Sequence, residues 1–210
     1  MSNDTTPESP ASARAFERLR PVADCVDAFA RQSGRAAAEG DVQLAVALLA
    51  AGGERSRCDV ALQAAWSDLL DGQMHASPDM SACVSVLVLL EKITDLAAAI
   101  CRAIVGLGER GLRDLPSMRR LALLAPEMLR DALGAAREND SSSAERVLGQ
   151  GLAVDTCFAQ AHLDLLYVAR QGQAEMSIAR QFHALGRALE QIGDTASEIA
   201  ASVRRPVAMA

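Results

Sequence analysis

The sequence predicts an all-α protein made of two tandem antiparallel three-helix bundles, and three observations carry that expectation. The first is an internal repeat: shifted by 99 residues, the chain aligns with itself without a gap. Glu39 and Asp41 fall on Glu138 and Asp140, Ala45 and Leu49 on Ala144 and Leu148, and Glu91-Lys92-Ile93-Thr94-Asp95 on Glu190-Gln191-Ile192-Gly193-Asp194. A repeat of this length means two copies of one folding unit. The second is composition: half the residues are apolar but only 3% are aromatic, so the core must come from Ala, Leu, Val and Ile. Small apolar side chains favour close-packed helices, whereas a sheet protein would draw on more aromatic and β-branched residues. The third is apolar spacing of three and four residues between short polar breaks, which makes consecutive helices antiparallel neighbours.

Taken in order, residues 1–9 are polar and acidic, without the basic and apolar regions of a leader, and are expected to be disordered. Ser9-Pro10 reads as N-cap and first helical residue. The first helix then runs to about Ala38 on a stripe of Phe16, Leu19, Val22, Val26 and Phe29. Gly40 ends it, and Asp41 caps the second. The second helix extends from about Val42 to Leu70, with a break or a close contact with another helix expected at Gly52-Gly53 because interior glycine is unfavourable. Asp71-Gly72 is a turn, and Ser77-Pro78 opens a third helix reaching about Leu107. Gly106, Gly108 and Gly111 mark its end.

The second copy begins near Leu115-Pro116. Its first helix runs to Glu138 with a kink expected at Pro126, and Asn139-Asp140 repeats the Gly40-Asp41 turn. Ser142-x-x-Glu145 reads as a capping box for a helix running to about Arg170. Gly172 turns the chain, and the last helix spans about Glu175 to Arg204, stopped by Pro206. The expected units are therefore 10–111 and 112–205.

A net charge of −6 argues against a nucleic-acid partner, which needs a basic face. Cys25, Cys58, Cys83, Cys101 and Cys157 are odd in number, widely spaced and free of any C-x-x-C, so they read as reduced core thiols of a cytoplasmic protein. The longest apolar stretches, 82–90 and 96–101, are too short to span a bilayer. His75, His162 and His183 show no metal-ligand spacing and read as surface or half-buried residues. No catalytic triad, phosphate loop or nucleotide fingerprint is present, so no enzyme activity is expected.

The candidate site is the duplicated acidic pair, Glu91 with Asp95 and Glu190 with Asp194. Four residues apart, each pair shares one helix face, one turn above the other, and two such carboxylates supply half of a hard-cation site. The alternative is a solvated acidic face, with Arg187 pairing Glu190 and Lys92 pairing Asp95.

Leu189-Glu190-Gln191-Ile192-Gly193-Asp194-Thr195-Ala196-Ser197-Glu198-Ile199-Ala200 resembles the LERIGDxAxNIA signature of the PhoU family of phosphate-transport accessory proteins, and Leu90 to Ala97 resembles a weaker first copy. The likeness extends through Met128, Asp140, Ala144 and Asp155 and covers nearly the whole chain. It implies two three-helix bundles, a homodimer, and a non-enzymatic negative regulator of phosphate uptake and phosphate-starvation signalling. Its implied partners are the phosphate transporter ATPase and a sensor histidine kinase, so that it is at most peripheral to a membrane complex. It also implies metal binding (Mg, Mn, Fe or Zn) by acidic motifs on two helices of each bundle. The family's middle-helix acidic pair corresponds here to Gly151 and Asp155 in the second half and to Gly52 and Ser56 in the first. The implied ligands shrink to Asp155, Glu190 and Asp194 in one bundle and Glu91 and Asp95 in the other. The competing expectation is a helical scaffold or a metal-binding carboxylate bundle serving another pathway.

Overall fold

The computed structural model describes residues 11–70, 78–108, 115–170 and 176–204. The disorder expected of 1–9, the turns at Asp71-Gly72 and Gly172, the cap at Ser77, the end signal at Gly111, the stop at Pro206 and the boundary between 111 and 112 all lie outside these residues, as does His75. The described segments form α1 (Ala11–Arg18), α2 (Arg20–Glu39), α3 (Val42–Leu49), α4 (Glu54–Leu70), α5 (Pro78–Leu107), α6 (Pro116–Glu138), α7 (Ser141–Arg170) and α8 (Met176–Arg204). Among the described residues there is no strand.

Two expected helices are divided. The first bends at Leu19, between α1 and α2, because Pro21 lies at the start of α2 and has no N–H to continue the ladder. The apolar stripe runs across the bend, with Leu19 and Val22 both buried, which is why spacing alone read one helix. The second divides at 50–53. There Gly52 adopts φ 78°, a left-handed conformation that L side chains avoid. A Cβ on Gly53 would come within 2.3 Å of the Ala47 carbonyl oxygen. Of the two outcomes expected of the glycine pair it is the break that occurs; the close approach at Gly53 is to Ala47, Leu48 and Ala50 of the same turn and not to another helix. By contrast α6 runs through Pro126 uninterrupted, and α7 is continuous.

The repeat is visible at the caps. Gly40 and Asn139, 99 residues apart, are both left-handed, at φ 67° and 51°. Asp41 accepts the Leu44 N–H at 2.8 Å. Asp140 accepts the Ser142 N–H at 2.9 Å and the Ser143 hydroxyl, so Asp140 caps α7 and Ser142 lies inside it. These donors hold the Asp140 carboxyl below its usual range. The capping box expected at Ser142 is displaced because Asp140 reaches the free N–H groups first.

Helices α1 to α5 make the first bundle and α6 to α8 the second. They pack side by side, α2 against α6 and α5 against α8, over a continuous core. Each contact joins equivalent helices of the repeat, as in an isologous interface. At the α2–α6 crossing a Cβ on Gly34 would lie 2.4 Å from the Ala122 carbonyl oxygen and 2.7 Å from Pro126 Cγ. The carbonyl is one that Pro126, lacking an N–H, leaves without its usual helical partner. Glycine is thus what lets the two helices meet there.

Candidate functional site

In both bundles the apolar frame around the acidic pair superimposes on the repeat. Leu90, Ile93, Ala97 and Ile100 on α5 and their counterparts Leu189, Ile192, Ala196 and Ile199 on α8 are all fully buried. Each frame turns its pair of carboxylates outward, so that Glu91, Asp95 and Asp194 are exposed and Glu190 is half-buried. The surroundings then diverge.

In the first bundle Arg55 reaches across from α4. Its guanidinium donates to Asp59 at 2.9 Å and to Asp95 at 2.8 Å, and touches the Thr94 carbonyl at 3.4 Å. Partial burial works against the charge on Arg55, but the bonds from Asp59 and Asp95 outweigh it and raise its pKa above the ordinary value. Arg55, Asp59, Trp66, Glu91 and Asp95 line a shallow groove of about 270 Å³. Lys92 does not pair with Asp95; it points to Glu198 of α8, 3.9 Å away, across the bundle interface. The cation at this acidic pair is therefore a guanidinium supplied by the chain itself.

In the second bundle Arg187 pairs with Glu190 at 2.9 Å, as its spacing suggested. Burial raises the pKa of Glu190; Arg187 opposes the rise, while Asp194 and Asp155 add to it and His162 opposes it. All three expected carboxylates thus lie within electrostatic reach of one another. Two helical turns further on, His162 Nε2 and His183 Nδ1 meet at 2.8 Å across α7 and α8, and His162 Nδ1 lies 3.1 Å from the Phe158 carbonyl. The Phe158 ring meets His162 edge-on and lies beneath the Arg187 guanidinium, 5.9 Å from the ring centroid. The helices approach closely because Gly193 leaves no room to spare: a Cβ there would fall 2.8 Å from Val154 Cγ1.

A hard cation needs several oxygens converging on one point. The first bundle does not fit this, since Asp95 is already bonded to Arg55. Among the described residues, no three His, Cys, Asp or Glu side chains gather closely enough to hold a metal ion. Gly52 and Ser56 bring no ligand, and Gly151 sits 3.4 Å from Ser197 Oγ in ordinary contact, measured from a Cβ built on it. Sequence reasoning missed Arg55, Asp59 and the His162–His183 contact. The i,i+4 spacing of Arg55 and Asp59 was the available signal for the first two. Nothing local signals the histidine contact, which depends on how α7 and α8 align.

Residues 118–203 match the family profile of the PhoU domain. No curated protein matches the sequence. Among solved structures the chain is similar to the phosphate transport system regulatory protein PhoU from Streptococcus pneumoniae, with a TM-score of 0.73 and 16% identity over 91% of this chain and 92% of that one. It is also similar to PhoU from Pseudomonas aeruginosa, with a TM-score of 0.67 and 22% identity over 90% of this chain and 93% of that one. At these identities the structural likeness establishes the fold, and the sequence match is confined to α6 to α8. Residues 118–203, in the C-terminal bundle, match the PhoU domain, and the chain has the fold of solved PhoU proteins over nearly all its length.

Proposed function

We propose that this protein is a negative regulator of phosphate uptake that acts in the cytoplasm by binding, as an adaptor between the phosphate transporter ATPase and a sensor histidine kinase. The observation that carries the reading is the PhoU-domain match over residues 118–203. Two features support a binding role. Among the described residues no helix is long and apolar enough to cross a membrane. The outer face of α7 leaves Leu152, Leu163, Leu166 and Tyr167 between 58% and 76% exposed, at spacings that put them on one side of the helix. Exposed apolar surface of this kind marks contact sites between proteins, and we assign this face to the transporter ATPase. Capture of that ATPase from a co-expressing lysate should be strong for the wild type and lost for Leu163→Glu/Leu166→Glu. Deleting the gene should raise phosphate-starvation reporter expression at high phosphate; unchanged expression rejects the regulatory role.

We further propose that any divalent cation the chain takes up is held by Asp155, Glu190 and Asp194, and that Glu91 and Asp95 take none while Arg55 is in place. The number of carboxylates supports this division: each set has one carboxylate bonded to a guanidinium, Asp95 to Arg55 and Glu190 to Arg187, which leaves Asp155 and Asp194 to draw together on an ion in the second bundle and Glu91 alone in the first. Elemental analysis after dialysis against Mn2+ should find at most one ion per chain. Asp194→Asn should abolish it, and Asp95→Asn should not change it.

A further inference from the structure

The five cysteines are not alike. Cys83, Cys101 and Cys157 are buried, and burial pushes the Cys101 thiol up to about 12. Cys25 is half-exposed, and its sulfur lies 3.1 Å from that of Cys58, although the two residues are 33 apart in sequence and belong to α2 and α4. Two thiols brought this close from separate helices need move only about 1 Å to reach bonding distance, ~2.05 Å. A groove of about 310 Å³ opens beside them between the same helices, reaching Val22 and Ala61, with Arg18 on its wall. Val22 precedes Cys25 and Ala61 follows Cys58 by one helical turn, so the groove, whose own wall carries Cys83, ends one turn short of the pair.

We propose that Cys25 and Cys58 form a site of reversible thiol oxidation, which a peroxide closes to a disulfide. Cys25, the accessible partner, reacts first. Its thiolate attacks one peroxide oxygen, the O–O bond breaks, and hydroxide leaves to become water, giving a sulfenic acid at Cys25. The Cys58 sulfur then attacks the Cys25 sulfur. The S–O bond breaks, and the departing hydroxide takes the Cys58 proton as a second water. Two thiols lose two electrons to one peroxide. Cys58 does not react first, because it has no exposed surface and because burial, Cys25, Glu54 and Asp59 hold its thiol protonated well above the ordinary range. Nucleophilicity belongs to the thiolate.

The bond would join α2 to α4, whose own buried face is thin: Cys58, Leu62 and Leu69. It would also pin the turn that carries Arg55 and Asp59, and with it the guanidinium contact to Asp95.

The full-length chain treated with hydrogen peroxide, then alkylated in denaturant, should show three free thiols instead of five. Peptide mass mapping should find one cross-link, Cys25 to Cys58, and dithiothreitol should restore all five thiols. Closing this loop should raise Tm by roughly 5–10 °C. Cys58→Ser should stop at a Cys25 sulfenic acid trapped by dimedone, and Cys25→Ser should keep its four thiols at the same dose. Five free thiols in the treated wild type, or oxidation at Cys83, Cys101 or Cys157 instead, overturns the proposal. The wild-type measurement decides it even where a variant fails to fold.

Discussion

Asp95 and Asp194 occupy one position of the repeat, yet Asp95 meets the Arg55 guanidinium at 2.8 Å while Asp194 shares its surroundings with Asp155 and Glu190. The backbone frame is the same in both places, down to four fully buried side chains at matching positions. What differs is the neighbouring helix. In the first bundle that helix is broken at 50–53, and α4 brings Arg55 and Asp59 to the pair. In the second it is the continuous α7, which brings Asp155 and His162. A duplicated charge therefore does not imply a duplicated ligand; the facing helix brings a guanidinium to the first pair and a third carboxylate to the second, whose guanidinium, Arg187 at Glu190, comes from its own helix.

The comparison breaks most visibly at the residue just before each of these aspartates, Thr94 in one copy and Gly193 in the other. Thr94 is accommodated and its hydroxyl donates to the Leu90 carbonyl at 2.9 Å. At 193 there is no such space, because a Cβ would sit 2.8 Å from Val154 Cγ1 and 3.4 Å from Val154 Cβ, and valine is too stiff to swing aside. Gly193→Thr, which copies the first bundle into the second, should cost about 1–3 kcal/mol as α7 and α8 part. Thermal unfolding should show Tm lowered by several degrees; an unchanged Tm would mean that this glycine does not set the helix spacing.

The contrast between the broken and continuous helices is tested by one substitution at two glycines. Gly52 is left-handed with open space around it, so Gly52→Ala suffers from backbone strain alone and should lose roughly 1 kcal/mol. Gly149 lies within α7, also in open space, so Gly149→Ala should gain roughly 0.5–1 kcal/mol from helix propensity. Denaturant midpoints moving in opposite directions confirm the distinction. A gain at both positions would mean that the break is not enforced by Gly52.

These particulars show what a single sequence can carry. The caps at Gly40 and Asn139 and the outward-facing acidic pairs follow from local chemistry, in which turn residues and four-residue spacing act within one helix. Pro21 escaped notice because the buried stripe continues on both sides of it, and the stripe was the signal being read. Asp140 escaped as the cap of α7 because Ser142 and Glu145 satisfy the capping-box pattern equally well on paper. Arg55 at Asp95, His162 at His183 and Cys25 at Cys58 escaped for a different reason. Each is a contact between helices, fixed by their relative rotation and register, and no spacing within either helix encodes it.

Removing the internal cation tests the first bundle directly. Arg55→Ala deletes two exposed or half-exposed ion pairs, so its cost should be only about 0.5–1 kcal/mol. Its larger consequence is qualitative. With Asp59, Glu91 and Asp95 left unneutralised around one groove, the variant should acquire a Tm that rises with millimolar Mn2+ or Ca2+, which the wild type at this bundle should not show. Equal Mn2+ responses in the two proteins would sink the idea that the guanidinium stands in for a cation.

The smallest effect belongs to Glu190, and its sign follows from linkage. Burial, Asp194 and Asp155 together raise its pKa in the folded protein above the ordinary 4.5, against the pull of Arg187 and His162. A carboxyl raised on folding stabilises the protein fully below its unfolded pKa and loses that contribution as pH climbs through the folded value. At pH 7 the ionised Glu190 is therefore slightly unfavourable, and Glu190→Gln should raise Tm by about 1 °C, an amount kept small by solvent screening. The advantage should fade as pH falls through the raised pKa to below the ordinary 4.5, where the wild-type carboxyl takes up its proton and becomes the isostere of the amide. A variant less stable than the wild type at pH 7 would show that the Arg187 ion pair outweighs the burial and crowding of the carboxylate, and would place the second bundle with the first as a site whose charge is already matched within the chain.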